Sequence, residues 1–288
     1  QLALSLGPQS LGASVFVGTE PGHLALSDDG AYLYVGRKGA PAIRRVDLQT
    51  FTATQQFSLG SDQFSGPYYA GDIDVAPGQP LLVAVALERP GVSPRHGGVA
   101  TFADGVQLSA KTADHTGSNV IEFSAIPSRL YGLNTETTEF GFRRMTVDSS
   151  GVSVVDVARN LVAGFGLDIV FDRGWIFSTS GGVIDPEARS VVGTFTGLGS
   201  ANLVRPMTDR GLVYFLDDDV VRAYNAHTFV PVGTPFPVPG VNGTPRSLIR
   251  VGTENLAFAT SSGQVILVDL TGVQSPLPPL PPPQPPPP

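Results

Sequence analysis

The chain has 288 residues, of which 41% are hydrophobic and 15% charged, with a net charge of −7 and a pI near 5.0. It contains no cysteine, which excludes disulfide bonds, zinc–thiolate sites and thiol nucleophiles. The acidic charge balance argues against a nucleic-acid partner, and the absence of any run of 18 apolar residues argues against a membrane-spanning helix.

The first predicted elements form a four-stranded unit. His23–Ser27 is followed by the turn Asp28-Asp29-Gly30 and by a second strand, Tyr32–Val35. A third strand, Ile43–Leu48, and a fourth, Thr52–Ser58, complete it. Related phrases recur along the chain, and four-stranded units of about 40 residues that repeat are typical of β-propellers.

Five further copies follow the first in chain order. The inner strands are predicted at His23–Ser27, Asp72–Ala76, Asn119–Ser124, Leu167–Phe171, Asn202–Pro206 and Ser247–Val251. The second strands are predicted at Tyr32–Val35, Leu81–Leu87, Arg129–Leu133, Trp175–Thr179, Leu212–Leu216 and Asn255–Thr260. The third strands are predicted at Ile43–Leu48, Gly98–Phe102, Gly141–Val147, Gly182–Asp185, Val220–Asn225 and Gln264–Leu270. Many third strands end in Asp, Asn or Gly, which accept the backbone angles of a hairpin turn.

Only five copies contain a predicted fourth strand. These strands are Thr52–Ser58, Val106–Lys111, Val152–Ala158, Ser190–Thr196 and Phe229–Val232. The segment 13–17 (Ala-Ser-Val-Phe-Val) is predicted to supply the missing strand and to close the ring, which would remove exposed sheet edges. We therefore predict an all-β, six-bladed β-propeller over residues 1–273. Seven blades are the alternative.

The first copy resembles the YVTN-type and WD40-like propeller repeats of exported bacterial proteins. Its phrases Leu-Ser-Asp-Asp-Gly-Ala-Tyr-Leu-Tyr-Val, ending at Val35, and Val46-Asp47-Leu48-Gln49-Thr50 are similar to the repeat phrases of that family. The resemblance implies a propeller fold and an exported protein, and is nonspecific for function. The chain also begins at Gln1 rather than at methionine, so either a signal peptide has been removed or the chain is an excerpt from a longer one. We favour the first interpretation and expect an extracellular or cell-surface protein.

A proline-rich tail, 274–288, is predicted to follow the propeller as a polyproline II segment. Its candidate interaction residues are Pro276, Pro278, Pro279, Pro281, Pro282 and Pro283. A stiff spacer is one interpretation, and a ligand for an aromatic-lined groove is the other. We hypothesise that the tail docks on a neighbouring subunit and builds a filament. A tail that lies free, or that packs only on its own propeller, would overturn that hypothesis.

Polar residues of the inner strands are the natural candidates for a channel site. They include His23, Asp72, Asp74, Glu122, Asp168, Arg205 and Arg250. Asp72 and Asp168 are candidate calcium ligands, because hard cations take carboxylate oxygens. Buried ion pairs that fill the channel explain the same residues. The acidic turn Asp217–Asp219 offers two further candidates, Asp217 and Asp219, with a solvated hairpin as the alternative.

Other residues suggest that the protein carries or binds carbohydrate, without indicating which sugar. Asn242-Gly243-Thr244 has the form of an N-glycosylation site, although it is also an ordinary turn sequence. Phe64, Tyr68-Tyr69, Phe140 and Phe142 are candidate stacking platforms or core residues.

The preferred function is a non-enzymatic structural or adhesive propeller that self-associates. No catalytic residue and no cofactor is assigned, and calcium remains possible as a ligand. The alternatives are a propeller hydrolase or lactonase with a metal in its channel, and a monomeric carbohydrate- or peptide-binding propeller.

Overall fold

A computed structural model describes residues 14–199, 202–271 and 277–283. Within these ranges the regular structure is β-strand, apart from a short 3-10 helix at Thr208–Arg210. Contacts divide the chain into two compact units, one ending at Gly166 and the other beginning at Leu167. Each unit is built from antiparallel meanders.

The unit ending at Gly166 contains three meanders and a small hairpin. The first meander is β1 (Pro21–Leu26), β2 (Tyr32–Arg37), β3 (Ala42–Asp47) and β4 (Thr52–Ser58), and the hairpin is β5 (Ser61–Asp62) and β6 (Gly66–Pro67). The second meander is β7 (Tyr69–Val75), β8 (Leu82–Glu88), β9 (His96–Ala103) and β10 (Val106–Lys111). The third is β11 (Val120–Phe123), β12 (Arg129–Leu133), β13 (Phe142–Asp148) and β14 (Gly151–Ala158).

The unit from Leu167 onward contains three more meanders. The first is β15 (Ile169–Asp172), β16 (Trp175–Ser178), β17 (Gly182–Asp185) and β18 (Ser190–Thr194). The second is β19 (Asn202–Met207), β20 (Leu212–Asp217), β21 (Val220–Asn225) and β22 (Phe236–Pro237). The last has three strands in the described residues: β23 (Pro245–Val251), β24 (Asn255–Thr260) and β25 (Val265–Asp269).

A single parallel bridge joins the second and third meanders into one eight-stranded sheet. It pairs Ala110 of β10 with Gly151 of β14. Gly151 has a φ of 134°, and a Cβ there would lie 2.1 Å from the Ala110 carbonyl oxygen. Only glycine allows the two outer strands to approach this closely.

Burial explains why these segments form strands. In the second meander five consecutive residues of β8 are buried, because neighbouring strands flank it and both of its faces pack. The outer strand β18 is exposed at four of its five positions. Aliphatic and aromatic residues therefore concentrate in the middle strands, as a pleated and buried surface favours.

The predicted inner, second and third strands of all six copies are confirmed, with shifts of a few residues at their ends. The fourth strand of the fifth copy is wrong. Residues 229–232 contribute only a bridge from Pro231 to Tyr224, and the strand that pairs with β21 is β22. Phe229 has a φ of 60° and Pro231 has no N–H, so neither residue suits a ladder.

The predicted closing strand also differs from the structure. Residues 14–17 form no strand, and Phe16 is 80% exposed. Alternating apolar residues form a strand only where a partner edge pairs with them. Ala13, Pro276 and the predicted tail boundary at 273/274 lie outside the described residues.

Candidate interaction site

The inner-strand carboxylates bind backbone amides of the neighbouring meander. Asp72 on β7 accepts hydrogen bonds from its own neighbour Ile73 (2.9 Å) and from Ile121 of β11 (2.8 Å). Asp74 does the same with Val75 (2.8 Å) and Phe123 (2.6 Å). Because β7 and β11 are edge strands, these carboxylates satisfy amides that no strand pairs.

Asp72 and Asp74 therefore act as braces between two meanders. Burial raises the pKa of Asp74 to about 6, and the two amide donors oppose that rise.

A similar brace links β15 to the residue that follows β19. One oxygen of Asp172 accepts hydrogen bonds from the Thr208 amide (3.0 Å) and hydroxyl (2.7 Å). Asp168, one of the predicted calcium ligands, accepts a bond from the Ile169 amide at 2.9 Å. The surrounding protein raises the pKa of Asp168 by desolvation.

The other inner-strand residues are dispersed. His23 Nδ1 lies 3.8 Å from Asp72, and desolvation followed by the charge of Lys38 lowers the pKa of His23, so this contact is not an ion pair at neutral pH. Arg250 instead forms a bidentate pair with Asp209, at 2.8 and 2.9 Å. In the described ranges no group of three or more His, Cys, Asp or Glu side chains is arranged to hold a metal ion.

The acidic turn joins β20 to β21. Asp218 has a φ of 54°, as a tight hairpin requires, and the Asp219 carbonyl accepts a bond from the Val238 amide. Asp217 lies 3.9 Å from Arg222. Asp218 and Asp219 are exposed, whereas Asp217 is half-buried.

The carbohydrate candidates fall into two groups. Phe64 is 87% exposed at the tip of the β5–β6 hairpin, whereas Tyr68 and Phe142 are core residues. Asn242 has an exposed side chain, and its backbone bonds to Gln264 and Ser262.

The C-terminal segment 277–283, here called the strap, lies against the unit from Leu167 onward. Burial along it repeats every three residues: Leu277 and Pro283 are half-buried, Leu280 is buried and the four prolines between them are exposed. Three residues is the period of a polyproline II helix. One edge of the strap therefore faces the protein, and the other faces solvent.

The strap uses every backbone N–H that it has. Leu277 donates to the Arg210 carbonyl (2.9 Å) and Leu280 to the Thr208 carbonyl (2.8 Å). All other strap residues are prolines, which have no N–H. The two backbone N–H groups of the strap therefore both donate to carbonyls of the 3-10 helix.

Two side chains bind strap carbonyls. The Trp175 indole Nε1 donates to the Pro281 oxygen at 2.9 Å, and His227 Nε2 lies 3.1 Å from the Pro278 oxygen. Because a carbonyl only accepts, His227 Nε2 carries the proton. Trp175 does begin β16 as predicted, but it is half-buried beneath the strap.

Leucine side chains and glycines complete the fit. Leu280 is 7% exposed and packs in a cluster that contains Phe177, Phe195 and Phe215. A Cβ on Gly211 would lie 2.4 Å from the Pro278 oxygen, and one on Gly174 would lie 2.5 Å from Pro283 Cδ. The receiving surface, here called the strap groove, consists of Gly174, Trp175, Thr208, Asp209, Arg210, Gly211 and His227.

The sequence did not indicate this groove. Its residues come from three separate turns, and nothing local relates them to a tail 50 to 110 positions away. The available signal was in the tail itself, where Leu277 and Leu280 interrupt the prolines at a spacing of three.

Comparison with known proteins supports the fold. No family model and no curated protein sequence matches the chain. Among solved structures, it is similar to the β-propeller domain of Cps50 (Swd1) from Myceliophteria thermophila, with a TM-score of 0.64 and 12% identity over 87% of this chain and 83% of that one. At this identity the likeness shows the fold alone. The chain is a β-propeller.

Whether a helix can span a membrane depends on its length and its hydropathy. Over residues 14–199, 202–271 and 277–283, no helix is long and apolar enough to cross a membrane.

Proposed function

We propose that the chain is a non-enzymatic, six-bladed β-propeller that acts outside the cell as a structural or adhesive interaction module. The observation that carries this proposal is the strap, a proline-rich peptide seated on a fitted surface of a propeller. Propellers present such surfaces on rigid sheets, and extended proline segments bind with little loss of conformational entropy.

The six-bladed count rests on the six meanders between Pro21 and Asp269. The last meander has three described strands, and β25 has one partner, β24. The similarity of the first copy to exported propeller repeats supports the extracellular location.

The filament is the more specific form of this proposal. Because the strap lies on its own chain, a filament requires the tail to leave this groove and enter the same groove of a neighbour. Such an exchange replaces each contact by an identical one, so its energetic cost is low. Head-to-tail exchange that does not close produces a fibre.

The enzyme alternative has weaker support. Both carboxylate oxygens of Asp72 accept backbone amides, which leaves them poorly placed for a metal. Among the aromatic residues that the sequence suggested for carbohydrate binding, Phe64 has an exposed side chain. A calcium titration followed by thermal unfolding tests the metal alternative, and a rise in Tm with calcium would favour it over the proposal.

Electron microscopy of three full-length proteins tests the filament. The wild type is compared with Leu277→Asp/Leu280→Asp, which places two charges on the buried edge of the strap. The matched control is Pro279→Asp/Pro282→Asp, which places the same charges on its exposed edge. We expect fibres from the wild type and the control but none from the leucine variant. Single particles in all three samples would reject the filament.

A further inference from the structure

The strap groove has the properties of a peptide-binding site, independently of the tail that occupies it. We infer that it binds proline-rich segments with leucine at every third residue, and that the tail of a second copy enters it in trans. This inference deepens the proposed interaction role and names the partner of that site. A fibre is not required, because one pair of copies in which the tail of the first occupies the groove of the second is sufficient.

The first argument is hydrogen-bond complementarity. The groove presents an acceptor to each N–H group of the strap, at Leu277 and Leu280. It offers donors, from Trp175 and His227, to the carbonyls of Pro281 and Pro278. The four positions between and beside the leucines are exposed, and the prolines there need no acceptor from the groove. Proline also holds the segment in the polyproline II conformation in which both leucine amides meet their acceptors.

The second argument is that the groove is braced without the strap. Asp172 holds the Thr208 amide and hydroxyl, and Arg250 holds Asp209 through two bonds. Arg210 contacts Glu254 at 2.8 Å and the Thr253 carbonyl at 3.0 Å. None of these partners belongs to the tail. The carbonyls that receive the leucine amides thus keep their positions when the strap leaves, and such preorganisation favours rebinding.

The third argument is side-chain specificity. Leu280 fills a pocket among aromatic residues, and Leu277 packs against a second cluster. Gly174 and Gly211 leave room for the strap backbone, which side chains at these positions would occupy. The two pockets lie three residues apart along the strap. The two pockets therefore recognise the three-residue period of a polyproline II helix as well as its leucine side chains.

The test uses Trp175, the only tryptophan of the chain. In full-length Leu277→Asp/Leu280→Asp protein the strap is released, so we expect Trp175 emission to shift to longer wavelength and acrylamide quenching to increase. A synthetic peptide of residues 275–284 is then added. We expect saturable reversal of both changes, and at least about tenfold weaker binding of the same peptide with both leucines replaced by aspartate.

Circular dichroism checks that the variant is folded. If it does not fold, full-length Leu280→Ala, which removes one leucine side chain without adding charge, serves for the same titration. Equal binding of the two peptides, or no response of Trp175 to either, overturns the inference. Peptide binding without fibres would preserve it and reject the filament, whereas fibres without peptide binding would overturn it and show that copies join through another surface.

Discussion

His96 is the most completely buried histidine, with 1% of its surface exposed. In the described structure neither of its ring nitrogens has a hydrogen-bond partner. Desolvation, followed by the charge of Arg143, lowers the pKa of His96 to about 4. The Cα of Gly117 packs beside the ring, since a Cβ there would lie 2.1 Å from Nε2. The imidazole is therefore held neutral.

This arrangement predicts a pH-dependent stability. The native pKa of His96 lies below the ordinary value of 6.5, so the unfolded state binds the proton more readily between these values. The stability that this histidine contributes is present above pH 6.5 and is lost as the pH falls towards 4. Between about pH 7.5 and 5 the loss is about 2 kcal/mol.

Urea unfolding at both pH values measures the effect. His96→Leu should be less sensitive to this pH change than the wild type by that amount, whereas His115→Asn, at an exposed position, should behave like the wild type. Equal pH sensitivity in all three proteins would show that His96 does not titrate between its native and unfolded states.

At the scale of elements, the most regular feature is the residue that ends the third strand. Asp47, Asp148, Asp185 and Asp269 each accept amide bonds from the turn that follows, and Asn225 does the same. At the half-buried Asp47, the Thr50 amide bond is the main cause of a lowered pKa and outweighs the effect of desolvation. Short polar side chains fix these turns locally, so the sequence alone predicts them.

The braces between meanders are less local and give a second prediction. Removing the Asp74 carboxylate in Asp74→Ala leaves the Phe123 amide, at the edge of β11, without its acceptor. We expect a loss of roughly 2 kcal/mol, the cost of an unpaired buried donor. We also expect faster hydrogen exchange at Phe123.

Asp47→Ala provides the comparison, since it removes a turn carboxylate that contacts no other meander. If Phe123 exchange is unchanged in Asp74→Ala, the carboxylate does not brace the two strands.

At the scale of the molecule, net charge opposes self-association. Each copy carries −7, so approaching copies repel one another at low ionic strength. The contacts of the strap are apolar contacts and hydrogen bonds to backbone groups, which salt affects little. We expect light scattering from assembled wild type to increase as salt is raised from about 0.01 M to about 1 M, because the screening length falls from about 30 Å to about 3 Å.

The leucine variant of the strap should remain unassembled at every salt concentration. Assembly that dissolves as salt is added would instead indicate ionic contacts between copies.

The architecture was predictable because it repeats. Six copies of one strand pattern constrain one another, and their middle strands carry the apolar residues that burial requires. The fourth strand predicted at Phe229–Val232 does not form, because Phe229 has a positive φ and Pro231 has no N–H. The strand that pairs with β21 is β22, which begins further along the chain. The strap groove was not predictable, since Trp175 and His227 are ordinary residues until the fold brings them to the tail.

The strap also has a defined register. A shift by one residue in either direction would set prolines against the Arg210 and Thr208 carbonyls and remove both amide donors. A slip of three residues, about 9 Å, that brings Leu280 to Arg210 would place Pro283 at Thr208 and retain one bond. In that direction the tail can therefore change its register only by a whole polyproline II turn, and the change loses a donor.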